Sequence, residues 1–185
     1  MNYEKLAERI RGKKVIVYGA AWSGKTTLVL HLLPHLGTTL YIDSDMNYPI
    51  ESTIRRLKAS AFVRRINNFP LAIKAMEEFT GDTVVVDSLA GLISQLYERE
   101  TVGSPRINLL SAQYQEKLIR TAGKFKTAVI ITHVGADFKT GAERIRINQA
   151  LLRYIDMIIK VDVENERRIL RIRERKPVES PEFKW

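Results

Sequence analysis

Four apolar residues, Val15-Ile16-Val17-Tyr18, stop at Gly19, and the chain then runs Ala20-Ala21-Trp22-Ser23 to Gly24-Lys25-Thr26-Thr27 and a leucine-rich stretch. This is the G-x-x-x-x-G-K-[ST] pattern of a phosphate-binding loop set between a strand and a helix. Gly19 lets the chain turn off the strand, and Gly24 lets the backbone approach a phosphate, because neither carries a Cβ. Backbone N–H groups of such a loop and of the helix behind it point at one anion. Lys25 then reaches the β- and γ-phosphates of a nucleotide, Thr26 offers its hydroxyl to Mg²⁺, and Thr27 contacts the α-phosphate.

At 185 residues the length suits one domain with a substantial core. Lys and Arg number 30 against 21 Asp and Glu, a formal charge of +9. That surplus favours polyanionic partners, although a solvated basic surface has the same composition. With no cysteine, disulfides and thiolate metal sites are excluded. Residues 1–14 are charged throughout, and no stretch approaches the roughly 20 apolar residues that span a bilayer. The expectation is a cytoplasmic protein with no membrane partner.

Along the chain, Tyr3, Leu6, Ala7 and Ile10 recur at helical spacing, with Gly12 closing that helix. The P-loop helix is expected from Lys25 to Leu36. Thr39 to Asp43 is a buried strand ending in the pair Asp43 and Asp45. After Pro49, Ile50, Ile54, Leu57 and Ala61 form the inner face of a helix, and Phe62 to Ile66 is a short strand. Ala72, Ala75, Met76 and Phe79 mark another helix. Thr83 to Ser88 is a strand carrying Asp87 near its end, and Leu89, Leu92, Ile93 and Leu96 continue helically. Residues 98–105 lose periodicity, and a long helix follows from about Arg106 to Phe125, with Ile107, Leu110, Tyr114, Leu118 and Ala122 on one face. Ala128 to His133 is a fourth strand, followed by a second aperiodic loop over 134–148. Two strands, Tyr154 to Val163 and Arg168 to Ile172, make a terminal hairpin.

The predicted fold class is therefore α/β: a mainly parallel twisted sheet covered by helices on both faces, with a C-terminal antiparallel hairpin. Residues 1–12 are its first helix, 13–163 the nucleotide-binding core and 154–185 the hairpin and tail. Ligands of such sheets bind outside the carboxyl ends of the strands, where Gly19, Asp45, Asp87 and His133 all fall.

Asp87 after an apolar run is the usual second half of a P-loop site, ligating Mg²⁺ beside Thr26. A strand-end aspartate also caps helices. Asp45 follows the neighbouring strand and can orient the attacking water, or serve as a turn carboxylate. His133 can sense the γ-phosphate by hydrogen bond, or be a satisfied structural histidine. His31 and His35 flank Pro34 and read as helix-end residues rather than a metal pair.

In this order the segments resemble the RecA superfamily ATPase core, which includes RecA, RadA, RadB and KaiC-like proteins. Gly-Ala-Ala-Trp-Ser-Gly-Lys-Thr-Thr-Leu looks like its Walker A segment, implying an ATP cradle of Gly19, Ala20, Ala21, Trp22, Ser23, Gly24, Lys25, Thr26 and Thr27. Val-Val-Val-Asp-Ser resembles Walker B and assigns Mg²⁺ to Thr26 and Asp87. Tyr-Ile-Asp-Ser-Asp is similar to the strand that ends in the water-activating residue, which maps onto Asp45. That residue is normally glutamate; the shorter side chain here implies slow hydrolysis. His133 stands where recombinases commonly carry a glutamine that couples the γ-phosphate to a DNA-binding loop. Tyr48 occupies the place of a side chain stacked on adenine.

The same resemblance makes 98–105 and 135–148 the family's two DNA-facing loops. Lys139, Arg144 and Arg146 would pair with phosphates of DNA, single-stranded in this reading, and Phe138 would stack on a base. An exposed basic loop has the same composition. Arg173 and Arg175 match a basic-x-basic pattern that reaches a neighbouring subunit's ATP, implying a homo-oligomer or a complex with a recombinase. Alternating arginines also describe an amphipathic strand. The helical domain and Phe-x-x-Ala linker of filament-forming relatives are not found before the core, and Phe69-Pro-Leu-Ala72 is a chance match. The expectation is a compact RadB-type archaeal paralogue that assists or regulates recombination or repair. A KaiC-like regulatory ATPase without DNA binding is the alternative, and a small-molecule kinase a third reading.

Overall fold

Strands made of β-branched residues that are buried at every position need cover on both faces, and the sheet supplies that arrangement. The computed structural model describes residues 2–46, 49–98, 105–136, 140–165 and 167–174. In chain order the elements are α1 (Tyr3–Ile10), β1 (Lys14–Gly19), α2 (Lys25–Leu32), β2 (Thr39–Asp43), α3 (Ile50–Arg56), β3 (Ala61–Arg65), α4 (Phe69–Glu78), β4 (Thr83–Asp87), α5 (Leu89–Glu98), α6 (Pro105–Ala122), β5 (Thr127–Ala136), β6 (Glu143–Ile145), β7 (Met157–Glu164) and β8 (Arg167–Glu174). The sheet order is β3-β2-β4-β5-β1-β7-β8, with β6 paired to β5 off that path. All neighbours on the path are parallel except β7 and β8, which form the expected antiparallel hairpin.

Alternate residues of each strand feed opposite apolar layers. Ile16, Ile42, Val84, Val86 and Ile130 pack with Phe69, Met76, Leu92 and Leu118 from α4, α5 and α6. Val17, Tyr41, Val85, Val129, Ile131 and Ile159 pack with Leu6, Ile10, Leu28, Leu32, Ile50 and Ile54 from α1, α2 and α3. Because β5 lies between β1 and β4, the carboxyl ends of β1, β5, β4 and β2 form one edge in that order. Among the described residues, no helix is long and apolar enough to cross a membrane.

Several boundaries differ from the sequence expectation. Helix α2 ends at Leu32 rather than Leu36, because Pro34 cannot donate into the ladder and Leu33–His35 tightens to a 3-10 turn. Ala61, expected on a helix face, opens β3. The buried face of α6 is rotated from the expected stripe: Leu110 and Tyr114 are half-buried while polar Ser111 and Gln115 are buried. Gln115 donates to Ser111 Oγ at 3.0 Å and accepts from the Asn148 backbone at 2.9 Å.

The largest correction concerns 134–148, which is not aperiodic throughout. Strand β5 continues to Ala136, and β6 returns beside it with Val134 opposite Ile145 and Gly135 opposite Arg144. Strand β7 begins at Met157, not Tyr154, because Gln149–Tyr154 is a 3-10 turn.

Phe69 and Ala72 are both buried on α4, and the Phe69 ring stacks on Tyr114 with centroids 5.5 Å apart. Phe69 and Ala72 are thus core residues, while Pro70 and Leu71 between them are exposed. Phe69→Ala is expected to cost about 3–5 kcal/mol in urea unfolding. A loss below about 1 kcal/mol would contradict that placement.

Candidate nucleotide-binding site

Strand β1 hands the chain to the loop at Gly19, and α2 starts behind Gly24, whose φ of +95° a Cβ would strain. Ala21, Trp22, Gly24, Lys25, Thr26 and Thr27 line a cavity of about 530 Å³ with Asp43, Asp45, Ile50, Asp87, Ile131, His133 and Arg168. Four expected positions from separate strand ends, the P-loop, Asp45, Asp87 and His133, therefore meet. Ser23 is buried and does not line this cavity. Trp22 is 98% exposed.

The centre of the site is a hydrogen bond across β5. Thr26 Oγ1 donates to Asp87 Oδ2 at 2.8 Å, and Tyr41 Oη donates to the same oxygen at 2.5 Å. Burial pushes the Asp87 carboxyl up to about 6, against the opposing pull of these two hydroxyls. Tyr41 carries no motif signal; its one cue is an aromatic residue set between Leu40 and Ile42.

Lys25 is buried, and its ammonium donates to the carbonyls of Ala20 at 2.7 Å and Gly19 at 3.2 Å. Desolvation lowers its pKa, and Asp87 and Asp45 pull it back up. Among the described residues no carboxylate is hydrogen-bonded to it, so its charge remains available to an anion. Asp45 is exposed and accepts from Ser88 Oγ at 3.1 Å, and Gly91 leaves the space into which Asp45 and Ser44 pack. Asp43 is buried, accepts from the Met46 N–H at 3.0 Å and leaves Oδ2 without a hydrogen bond. Desolvation raises its pKa.

His133 is half-buried, and desolvation, then Lys25, lower its pKa, which keeps the imidazole neutral at pH 7. Arg146 stands next to it rather than at the tip of the β5–β6 arm. The Arg146 N–H donates to the His133 carbonyl at 2.9 Å, and Thr132 Oγ1 donates to the Arg146 carbonyl at 2.8 Å. Arg146, His133 and Asp45 line a second cavity of about 270 Å³. Arg144 lies on β6, opposite Gly135.

Arg173 sits opposite Ile158, which pairs with Ile16, so it is level with the first half of β1 and remote from the loop. The arginine of β8 that reaches the cavity in its own chain is Arg168, a residue sequence reasoning passed over. Tyr48, Phe138, Lys139 and Arg175 lie outside the described residues. His31 hydrogen-bonds the Thr27 carbonyl through Nδ1 at 2.8 Å and stacks on Tyr3, as a helix-end residue does.

Among the described residues, no group of three His or acidic side chains could hold a metal ion by itself. That suits Mg²⁺, which takes one or two protein oxygens and completes its shell with phosphates and water. Thr26 Oγ1 and Asp87 Oδ2, already adjacent, fit such a role.

A phosphate-loop cradle at the carboxyl edge of a parallel sheet, with a carboxylate beside its threonine, is consistent with a RecA-like ATPase core. The chain is similar to bacterial RecA proteins. It is 30% identical over 138 residues to Protein RecA of Oleidesulfovibrio alaskensis, covering 65% of this chain and 38% of that protein. Protein RecA of Nitratidesulfovibrio vulgaris is 30% identical over 134 residues, 65% of this chain and 37% of that one. Protein RecA of Syntrophobacter fumaroxidans is 29% identical over 138 residues, 65% of this chain and 39% of that one. The matched segment thus spans about two fifths of these relatives. This distant similarity supports a place in the RecA-like superfamily. No protein-family model matches the chain.

A carboxyl whose pKa is raised by folding binds its proton more tightly in the folded state. Metal-free, nucleotide-free protein should therefore lose stability as pH rises from about 4 through 6, by up to about 3 kcal/mol from Asp87. Asp87→Asn should remove that slope and melt higher than the native chain at pH 7. A native slope retained in Asp87→Asn would contradict the assignment.

Proposed function

We propose that the chain binds Mg·ATP in this cradle and hydrolyses it slowly, as a RecA-like protein that binds DNA. The observation that carries the reading is the Thr26–Asp87 hydrogen bond at 2.8 Å, made by a P-loop and a strand-end carboxylate from non-adjacent strands. Gly24 and the α2 N-terminus receive phosphate through backbone N–H groups. Lys25 leaves the loop carbonyls for the β- and γ-phosphates, and Thr26 and Asp87 hold Mg²⁺, which would neutralise charge developing on the transferred phosphoryl group. Asp45, exposed to the cavity and steadied by Ser88, orients the attacking water. Neutral His133 offers a hydrogen bond to the γ-phosphate. Tyr48 supplies the adenine platform.

His133 and Arg146 are joined through the backbone, so a contact made by His133 is felt at the base of the β5–β6 arm. This supports a DNA role for the arm, with Phe138, Lys139, Arg144 and Arg146 meeting a single strand. Arg173, remote from its own cradle, would serve a neighbouring subunit's nucleotide, and we assign Arg175 the same role. Within the superfamily, a RadB-type archaeal paralogue assisting recombination or repair is the reading we favour, on the Asp45 and His133 departures as well as the motif order.

Lys25→Ala should weaken nucleotide binding about tenfold to hundredfold in calorimetric titration. Asp45→Asn should still bind, with turnover lowered about 100-fold; unchanged turnover would assign the water to another group. Three phosphate contacts predict a loss of roughly 20-fold in affinity for a single-stranded oligonucleotide when salt rises fourfold. Absence of binding at the lower salt would remove the DNA role and leave a regulatory ATPase.

A further inference from the structure

Arg168 is the feature of the cavity that neither the motifs nor the assigned roles use. It lies at the carboxyl edge of the terminal hairpin, on β8 opposite Val163. Its side chain passes over the loop so closely that a Cβ on Gly24 would stand 2.6 Å from Nε and 3.1 Å from Cδ. It lines the cavity with Ala21, Trp22, Lys25 and Thr27. Among the described residues it has no hydrogen-bond or ion-pair partner, although Asp162 and Glu164 on the adjoining strand are engaged by Arg171.

An exposed guanidinium without a partner among the described residues, a buried ammonium and a helix N-terminus therefore line one cavity. Water screens the exposed guanidinium while the cavity is empty, and a bound polyanion would give it a partner. The sheet order decides which part of the anion each group meets. Asp45 and Asp87 follow β2 and β4, on one flank of β1, whereas Arg168 comes from β8, on the other. Thr27, the residue assigned to the α-phosphate, lines the cavity together with Arg168.

We infer that Arg168 is a binding residue acting within its own chain, pairing with the α-phosphate of the nucleotide opposite Thr27. The inference rests on the nucleotide reading above. Guanidinium geometry suits the task, since its fork can donate two parallel hydrogen bonds to one phosphate. A contact to the α-phosphate is made equally to ATP and ADP, so Arg168 would set affinity rather than sense hydrolysis. It would also tie the terminal hairpin to the filled cradle.

Calorimetric titration of Mg·ATP and Mg·ADP into the full chain, Arg168→Ala and Arg168→Lys tests this. Arg168→Ala should weaken both nucleotides by the same factor, about tenfold to hundredfold. Arg168→Lys should recover part of the loss, and the melting temperature without nucleotide should not move. Native affinity in Arg168→Ala, or a loss confined to ATP, would overturn the inference; so would an equal drop in ligand-free stability. If the native chain binds neither nucleotide, the site reading itself fails, which the variants cannot imitate.

Discussion

The hydroxyl of Thr26 and the carboxylate of Asp87 are joined across an intervening strand, and the rest of the site depends on that junction. It requires β1 and β4 to be in register through β5, which the parallel pairing of Val15 with Val129 and of Val129 with Val85 provides. It also requires a carboxyl in a place that disfavours charge. Two hydroxyls, from Thr26 and Tyr41, offset part of that desolvation, and the remaining penalty keeps the group ready for a cation. Asp87 is thus a buried carboxyl whose charge is costly without a cation beside it, as is common for functional groups.

Two extensions of the sheet flank this centre. The β5–β6 arm is fixed at its base by His133, Arg146 and the Gln115–Asn148 bond. The β7–β8 hairpin places Arg168 over the loop. Lys160 on β7 bridges the two, meeting Glu143 of the arm at 2.8 Å and Asp162 at 3.1 Å. Such partly exposed pairs contribute little stability. Their consequence is positional: the arm and the hairpin share a contact.

Much of this was legible in the sequence because β1, β2 and β4 are apolar runs ending in Gly or Asp, and parallel sheets gather such ends on one edge. The convergence of Lys25, Thr26, Asp45, Asp87 and His133 follows from that rule alone. What was missed depends on contacts that no local pattern announces. Glu143-Arg144-Ile145 is too short to signal a strand until β5 continues alongside it. Buried Gln115 looks like a surface residue until Asn148 claims its oxygen. The arginines of β8 look alike in sequence, and only the antiparallel register separates Arg168, at the cavity, from Arg173 at the far end.

The most direct test is a crystal structure of the chain with Mg²⁺ and a non-hydrolysable ATP analogue. The triphosphate should lie along Gly19 to Thr27, with Mg²⁺ about 2.0–2.1 Å from Thr26 Oγ1 and Asp87 within direct or water-bridged reach. A triphosphate bound elsewhere, or a cradle with Thr26 still bonded only to Asp87 at saturating nucleotide, would contradict the account.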